Sequence, residues 1–214
     1  MPKPKDSGSA RQIPASFALQ FSPKQIAARV AELGEEIGRW CARVWDESHT
    51  DVLVIPVLRG GVFFFSDLGR AVPTSIEIVP VRTEAYEATV SGVKKEKVSV
   101  HSEGLAVKGR VVLIVDDVCD SGRTLEALEK DLLEKGAREV RSVVLIRRLL
   151  NKPTFVPCWV GFEYTGLEWF VGYGMDDGER PLCLGEATDQ DQAPGLDMPR
   201  MRGIHPVAVL FQRR

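Results

Sequence analysis

The stretch VVLIVDDVCDSGRTL, residues 111–125, decides the fold. Its apolar start continues a run over 110–115 that predicts a strand buried on both faces of a parallel sheet. Asp116 and Asp117 follow this strand, and a turn of small residues then leads into a helix whose leucines recur up to Gly136. Ligands of parallel sheets bind beyond the carboxyl ends of the strands, so the stretch predicts a ligand site here.

The turn DSGRT, residues 120–124, is suited to a phosphate. Free amides and the positive dipole end of the following helix attract an anion, and Gly122 permits close backbone approach. Carboxylates beside an anion site make sense if the ligand carries hydroxyl groups next to its phosphate, or if they hold a divalent cation. A ribose 5-phosphate unit fits, with its phosphate in the turn and its diol near Asp116 and Asp117.

Two other interpretations compete with a ribose-phosphate site. An apolar strand ending in Asp-Asp is also typical of the magnesium-binding strand of P-loop ATPases, but the partner motif GxxxxGK[ST] is absent from the sequence. The plainer alternative is a strand, turn and helix in which Asp120 is only the helix N-cap. Capping alone does not require three acids after so apolar a strand.

Strands and helices alternate across residues 50–146. This order predicts an α/β fold with right-handed crossovers, a Rossmann-like, mostly parallel sheet flanked by helices. Pro56 cannot donate to a β-ladder, so its strand is expected to bulge or end early. The polar segment 83–100 is expected to be a long loop or a weak hairpin. The predicted elements of this region are strands at 52–58, 75–82, 110–115 and 140–146, and helices at 61–72 and 125–136.

The two ends of the sequence predict a smaller hood subdomain. Ser22, Pro23 and Gln25 form a capping signature for a helix with one apolar face. Short strands are expected at 158–164, 168–174 and 204–211. We therefore assign residues 17–214 to one domain, with a core at about 45–150, a hood from 17–44 and 151–214, and a flexible tail over 1–16.

Composition favours a soluble cytoplasmic protein. The 214 residues carry a net charge of −2, which gives no reason to expect nucleic acid or an acidic membrane as a partner. The N-terminus lacks the apolar core of a signal peptide, and no apolar run reaches the length of a membrane span. The four cysteines are scattered without a CxxC pair, which is typical of a reducing compartment.

Residues 111–125 resemble the ribose-phosphate motif of the type I phosphoribosyltransferases, and most closely that of the hypoxanthine-guanine phosphoribosyltransferases. VLRGGVFFFSDL (57–68) resembles the pyrophosphate loop and helix of that family. WVGFE and WFVGYGMD (159–176) resemble its base-stacking and magnesium segment, and RGIHPVAVL (202–210) its terminal strand. The resemblance covers most of residues 21–212.

This resemblance implies transfer of the 5-phosphoribosyl group from phosphoribosyl pyrophosphate to a 6-oxopurine, with hypoxanthine or guanine favoured, in purine salvage. It implies that Asp116 and Asp117 hold the ribose diol directly or through Mg²⁺. Asp120 would be the general base toward the purine. The 5-phosphate would lie among Asp120, Ser121, Gly122, Arg123 and Thr124.

Further roles follow from the same resemblance. Pyrophosphate would be bound by Arg59, Gly60 and Gly61, although the family usually has lysine in place of Arg59, and a cis peptide is expected between Leu58 and Arg59. The purine would stack on Trp169 and meet the backbone of Phe170. The resemblance also implies Asp176 as a magnesium ligand with Asp177 as its alternate, and Arg202 as a pyrophosphate clamp with Arg180 as its rival.

Three departures from the family pattern leave alternatives open. The lysine that reads the 6-oxo group is matched by Arg148 on ungapped counting, or by Lys152 on local similarity. The closing loop has Ala85-Tyr86 where the family has Ser-Tyr, so closure would rely on Tyr86. The segment 177–201 is longer than in the family. A different base, or a regulatory protein of the same fold that senses phosphoribosyl pyrophosphate or nucleotide, stays an alternative, and a homodimer or homotetramer is implied.

Overall fold

Parallel strands form the larger of two sheets in the computed structural model, which describes residues 17–90, 93–101, 104–175 and 209–212. In chain order the strands are β1 (Phe17–Phe21), β2 (Val52–Leu58), β3 (Ile76–Ile78), β4 (Val81–Val90), β5 (Val93–His101), β6 (Val111–Cys119), β7 (Glu139–Arg148), β8 (Trp159–Tyr164), β9 (Phe170–Val171) and β10 (Val209–Gln212). The helices are α1 (Pro23–Ser48), α2 (Val62–Ala71) and α3 (Arg123–Glu134). Within the described residues, no helix is both long and apolar enough to span a membrane.

The large sheet has the order β5-β4-β2-β6-β7-β8, and β3 pairs with β2 ahead of β4. β6 lies at its centre in parallel register with β2 and β7, and β5 is antiparallel to β4. Apolar residues of α1 and α2 pack on one face, and Leu125, Leu128 and Leu132 of α3 pack on the other. The predicted α/β fold with helices on both faces is thus confirmed.

β6 continues past the predicted strand end. We expected the strand to stop at residue 115, but its pairing with β7 runs on from Asp116, opposite Val144, to Cys119, opposite Arg147. The prediction was wrong because two adjacent carboxylates suggest a loop, whereas β7 continues to pair with β6 on both sides of Asp117, at Asp116 and at Val118. The acidic pair is therefore held by a rigid ladder.

Pro56 neither ends β2 nor makes it bulge. It keeps its parallel register with β6, opposite Val115. On the other side of β2, β3 ends at Ile78 and β4 begins its pairing opposite Val57. The ladder on that side is therefore interrupted at the proline, where a residue without an N–H group is accommodated.

The segment predicted as one strand over 75–82 is divided between β3 and β4. The polar residues that follow form the hairpin of β4 and β5, which is the second of the two predicted alternatives. Ten strand residues on one side and nine on the other make this hairpin long. Its backbone pairing defines it.

α1 begins as the capping signature predicts. The backbone N–H of Gln25 donates to Ser22 Oγ at 3.3 Å, and the N–H of Ser22 donates to Gln25 Oε1 at 3.0 Å. The apolar face of the helix is buried against the large sheet together with residues of β2, β6 and β7. Although α1 was assigned to the hood, it contributes to the main core.

The second sheet has three strands in the order β1-β10-β9. β10 is the middle strand and is antiparallel to both neighbours. β8, which we assigned to the hood, is instead the edge strand of the large sheet, parallel to β7. β9 is shorter than the predicted strand over 168–174, because its backbone turns at Gly172.

Candidate active site

The two aspartates of β6 lie side by side, Asp116 buried and Asp117 half-buried. Asp116 is 8% exposed, and its Oδ1 accepts a hydrogen bond from the N–H of Asp117 at 3.0 Å. The N–H of Val118 donates to Asp117 Oδ1 at 2.9 Å. Burial, and then the charge of Asp117, hold the pKa of Asp116 well above its ordinary value. Burial likewise raises the pKa of Asp117, against the hydrogen bonds that lower it.

This carboxylate pair fits a divalent cation. Ionising two adjacent carboxyl groups in a buried position is costly, and a bound cation would offset that cost. Among the described residues, no group of three or more His, Cys, Asp or Glu side chains forms a ready-made metal site. Mg²⁺ commonly binds through one or two carboxylates, with water and substrate phosphates as its other ligands. Asp116 and Asp117 therefore suit the ion that the sequence resemblance implies.

The loop at the end of β2 lies directly against these aspartates. The Leu58–Arg59 peptide is cis, as expected. A side chain at Gly60 would collide with Asp117 Oδ2. At Gly61, a β-carbon would lie 2.9 Å from Val57 O. Gly60 thus leaves room for the side chain of Asp117, and Gly61 leaves room for the carbonyl of Val57.

The turn after β6 surrounds a cavity of about 140 Å³. Gly122 has φ of 90° and is the residue from which α3 begins, with no side chain capping the helix. The alternative in which Asp120 is the N-cap is therefore wrong. The residues lining the cavity are Asp116, Val118, Cys119, Asp120, Ser121, Gly122, Arg123, Thr124 and Leu125.

Thr154 and Phe155 brace this turn, a role that no sequence pattern predicted. Thr154 donates to the carbonyl of Ser121 through its N–H at 2.9 Å and through its Oγ1 at 2.8 Å. A β-carbon on Gly122 would lie 2.6 Å from Phe155 Cβ and 2.9 Å from its carbonyl oxygen. Residues from the loop after β7 thus fix the shape of the turn.

Arg148 at the end of β7 is ion-paired with Asp120. Its Nε donates to Asp120 Oδ1 at 2.5 Å, and the arginine side chain is 8% exposed against 55% for the aspartate. Its Nη atoms donate to the carbonyl oxygens of Gly166 and Glu168, the latter at 3.1 Å. The guanidinium also lies 5.1 Å from the ring centre of Phe170. These contacts hold it in one orientation.

A second cavity, of about 270 Å³, opens beside this ion pair. Trp169 lines it while remaining 57% exposed. Arg148 lines it too, whereas Lys152 is exposed and does not. The lining residues are Asp117, Val118, Asp120, Arg148, Trp169, Phe170 and Met175. Asp120 and Val118 line both cavities, so the two adjoin at this carboxylate.

Several predicted site residues lie outside the described residues: Asp176, Asp177, Arg180, Arg202 and the rest of the segment 177–201. Tyr86 lies in β4, opposite Lys97 of β5. The described site therefore comprises the strand tips, the two cavities and the loop at 59–61.

Comparisons with known proteins agree with this arrangement. Residues 28–176 match the family model described as a phosphoribosyl transferase domain. The hypoxanthine-guanine phosphoribosyltransferase of Mycobacterium tuberculosis is 39% identical over 169 residues, covering 76% of this chain and 80% of the relative. The hypoxanthine phosphoribosyltransferase of Haemophilus influenzae is 35% identical over 171 residues, covering 77% and 90%.

A solved structure matches the fold over nearly the whole chain. The hypoxanthine phosphoribosyltransferase of Trypanosoma cruzi, complexed with the product IMP, superposes with a TM-score of 0.65 at 19% identity. The superposition covers 94% of this chain and 93% of the other. At that identity the likeness shows the shared fold alone.

Proposed function

The chain belongs to the phosphoribosyltransferase family, a family of pentosyltransferases, and we propose that it transfers the 5-phosphoribosyl group of phosphoribosyl pyrophosphate to hypoxanthine or guanine. The products are the nucleoside monophosphate and pyrophosphate, as in purine salvage. One observation carries the proposal: a small polar cavity and a larger one walled by Trp169 adjoin at Asp120. Two adjoining cavities suit a phosphorylated sugar whose anomeric carbon is bonded to a flat base.

The sugar phosphate is assigned to the turn at 120–124. Its backbone N–H groups and the start of α3 attract the 5-phosphate, and the hydroxyls of Ser121 and Thr124 add donors. Asp116 and Asp117 receive the ribose diol, directly or through Mg²⁺. The open shape of the turn depends on Gly122, whose backbone conformation disfavours any other residue.

The purine is assigned to the cavity beside Arg148. The position of Arg148 in its wall supports this residue, and not Lys152, as the donor to the 6-oxo group. An arginine donates only and stays charged, so it suits a carbonyl and disfavours a 6-amino group. Trp169 would stack on the base, a contact worth about 1–3 kcal/mol. The backbone of Phe170 would meet the base edge.

Pyrophosphate is assigned to residues 59–61, here called the pyrophosphate loop. Backbone amides of Gly60 and Gly61 and the fork of Arg59 suit phosphate oxygens. Arg202 would add a further cation and Asp176 a second carboxylate for Mg²⁺. When bound, the metal ion would supply charge neutralisation for the departing pyrophosphate.

We assign to Asp120 a part in the chemical step. A purine ring nitrogen forms a bond to the anomeric carbon while the bond from that carbon to pyrophosphate breaks, so positive charge develops on the ribose. The carboxylate of Asp120 can stabilise that charge and accept the proton that leaves the purine. Its ion pair with Arg148 holds the carboxylate between the two cavities. Closure over the site would involve Tyr86.

A product assay tests this function. Purified protein with Mg²⁺ and phosphoribosyl pyrophosphate is offered hypoxanthine, guanine, xanthine, adenine or uracil, and nucleotide products are separated by chromatography. We expect inosine and guanosine monophosphates to dominate, and Asp120→Asn to lower kcat by about 10²–10³-fold. Absence of product from every 6-oxopurine would refute the proposal. The enzyme is further proposed to act in the cytoplasm as a homodimer or homotetramer, which sedimentation can measure.

A further inference from the structure

A tight turn over residues 172–175 follows the short strand β9. The N–H of Gly172 donates to Met175 O at 3.2 Å, and the N–H of Met175 donates back to Gly172 O at 3.0 Å. Gly172, Tyr173 and Gly174 have φ angles of 87°, 50° and 90°. A tyrosine in this left-handed region is uncommon, because its β-carbon is crowded there. Contacts of the Tyr173 side chain must therefore compensate for its backbone conformation.

Those contacts are with α2. Tyr173 is 2% exposed, and its hydroxyl donates to Asp67 Oδ2 at 2.5 Å. Its ring centre lies 6.2 Å from that of Phe63. Burial, and then the bond to Asp67, raise the pKa of Tyr173, so the phenol keeps its proton and remains a donor. The other carboxylate oxygen of Asp67 accepts from the exposed Arg70. The turn is thus anchored to the helix that follows the pyrophosphate loop.

The anchored turn presses on the pyrophosphate loop. A β-carbon on Gly174 would lie 2.8 Å from Gly60 O and 2.8 Å from Phe63 Cδ2, so this glycine backbone is in direct contact with the loop. Gly60 in turn packs against Asp117 on its other side. The loop is therefore enclosed between the turn and the acidic strand tip. Met175, from the same turn, lines the larger cavity.

We propose that Tyr173 and Asp67 are positioning residues that hold the 172–175 turn against the pyrophosphate loop, and so set the geometry in which that loop binds a diphosphate group. Neither side chain lines the two cavities, so each acts through Gly174 and Gly60. The inference rests on the proposed function for the identity of the ligand. The inference extends that function because it makes the affinity of the loop for a diphosphate group depend on the contact between the 172–175 turn and α2.

Tyr173→Phe is the sharpest test, because it removes one hydroxyl and keeps the buried ring. We expect KM for phosphoribosyl pyrophosphate to rise about tenfold, as for loss of a hydrogen bond to a charged group, while KM for hypoxanthine changes less than twofold. A general loss of structure would move both constants together with the melting temperature. Equal shifts in both constants would thus contradict a positioning role.

Two further variants frame this result. Asp67→Asn keeps an acceptor for the phenol and should restore most of the affinity that Asp67→Ala loses. Tyr173→Phe combined with Asp67→Ala should be no worse than Asp67→Ala alone, since both remove one interaction. Arg70→Ala, which removes only the exposed partner of Asp67, is the matched control and should leave both KM values unchanged.

A binding measurement separates this inference from the proposed function. Titration of inorganic pyrophosphate with excess Mg²⁺, followed by calorimetry, should show about tenfold weaker binding in Tyr173→Phe than in the unaltered chain. If the unaltered chain binds pyrophosphate but makes no nucleotide, the proposed function fails and a weakened variant still supports the inference. If nucleotide forms and the variant binds pyrophosphate normally, the inference alone is overturned. Absence of binding by the unaltered chain overturns both.

Discussion

The guanidinium of Arg148 joins three parts of the site: Asp120, the larger cavity and the backbone of residues 166–168. Sequence left Arg148 and Lys152 as rivals, because ungapped counting and local similarity point to different residues. The structure separates their surroundings, since only Arg148 lies in the cavity wall. No local pattern could have done so, because the distinction depends on where the loop after β7 turns away from the sheet.

Substitution of the two rivals should give unequal results. Arg148→Met keeps the apolar stem but removes every charged donor, so we expect kcat/KM for hypoxanthine to fall about 10–100-fold. Lys152→Ala should stay within twofold, because its side chain is exposed outside the cavity. Steady-state kinetics at saturating phosphoribosyl pyrophosphate measures both. A larger loss in Lys152→Ala would transfer the base-reading role to that lysine.

Gly122 is a second residue whose replacement has a defined cost. Gly122→Ala combines a φ of 90° with collision against the backbone of Phe155. Gly109→Ala has a similar φ of 75° but meets nothing within 4 Å, so it isolates the conformational cost. We expect Gly109→Ala to lower the free energy of unfolding by about 1–2 kcal/mol. For Gly122→Ala we expect a loss of about 2–5 kcal/mol, since the overpacking cost adds to it.

Urea unfolding of both glycine variants measures these losses. The two losses can be compared if the free energy of unfolding falls with urea concentration at the same slope in both variants and in the unaltered protein. A loss at Gly122 no greater than that at Gly109 would show that Phe155 moves aside freely. The bracing of the turn by the loop at 154–155 would then be dispensable.

At the scale of elements, α1 shows that close packing can favour glycine at helix positions where alanine would otherwise be the better helix former. Gly34 and Gly38 lie on its buried face, where a β-carbon would meet Ala71 Cβ at 2.6 Å and Pro73 Cδ at 2.5 Å. These glycines allow α1 to approach the end of α2. The apolar periodicity predicted the helix, but the reason for its two glycines is visible only in the contact with another element.

Two glycine-to-alanine changes in helices should therefore have opposite signs. Gly69→Ala, in α2, would meet the Phe65 ring at an ordinary 3.6 Å, so we expect stabilisation of about 0.5–1 kcal/mol. Gly34→Ala meets backbone atoms of Ala71, and overpacking should outweigh the helix gain, giving a net loss of about 1–2 kcal/mol. Thermal or urea unfolding decides the sign. Stabilisation by both variants would contradict the close approach of α1 and α2.

Errors in the element predictions share one cause. The end of β6, the passage of β2 through Pro56 and the place of β8 are all set by pairing with a neighbouring strand. Local residue preferences carry no information about that partner. Where an element carries its own signal, as with the capping box of α1 or the leucines of α3, the prediction is confirmed.

At the scale of the whole molecule, alternation of strands and helices was enough to predict the parallel sheet. The three-stranded sheet was harder, because β1 and β10 come from opposite ends of the described chain and pair at long range. Similarly, the site could be outlined from residues 111–125, whereas the supports at Asp67, Thr154 and Tyr173 could not. Those residues act through tertiary contacts, and such contacts produce no repeating pattern of residue types in the sequence.

The stability of the whole protein should depend on pH through the carboxyl groups of Asp116 and Asp117, which repel each other when both are ionised. The pKa of Asp116 is raised on folding, so the folded state binds its proton more tightly than the unfolded chain does. Its contribution to stability therefore falls as pH rises from the unfolded pKa through the folded pKa. We expect Asp116→Asn to raise the melting temperature of the ligand-free protein at pH 8, with a gain that shrinks toward pH 4.

Scanning fluorimetry from pH 4 to pH 8 measures this effect, with the exposed Asp46→Asn as control. Addition of Mg²⁺ at pH 8 should stabilise the unaltered protein more than Asp116→Asn, because the ion relieves the same repulsion. An Asp116→Asn gain that is constant across the pH range would show that ionisation of Asp116 carries no cost.

The middle position of β10 in the small sheet has a consequence for synthesis on the ribosome. β9, which carries Phe170 of the larger cavity, finds its antiparallel neighbour in a strand translated almost forty residues later. The large sheet and the turn at residues 120–124 can assemble while that neighbour is still inside the exit tunnel. A nascent chain can therefore form the half of the site that we propose for the sugar phosphate before it completes the half that we propose for the base.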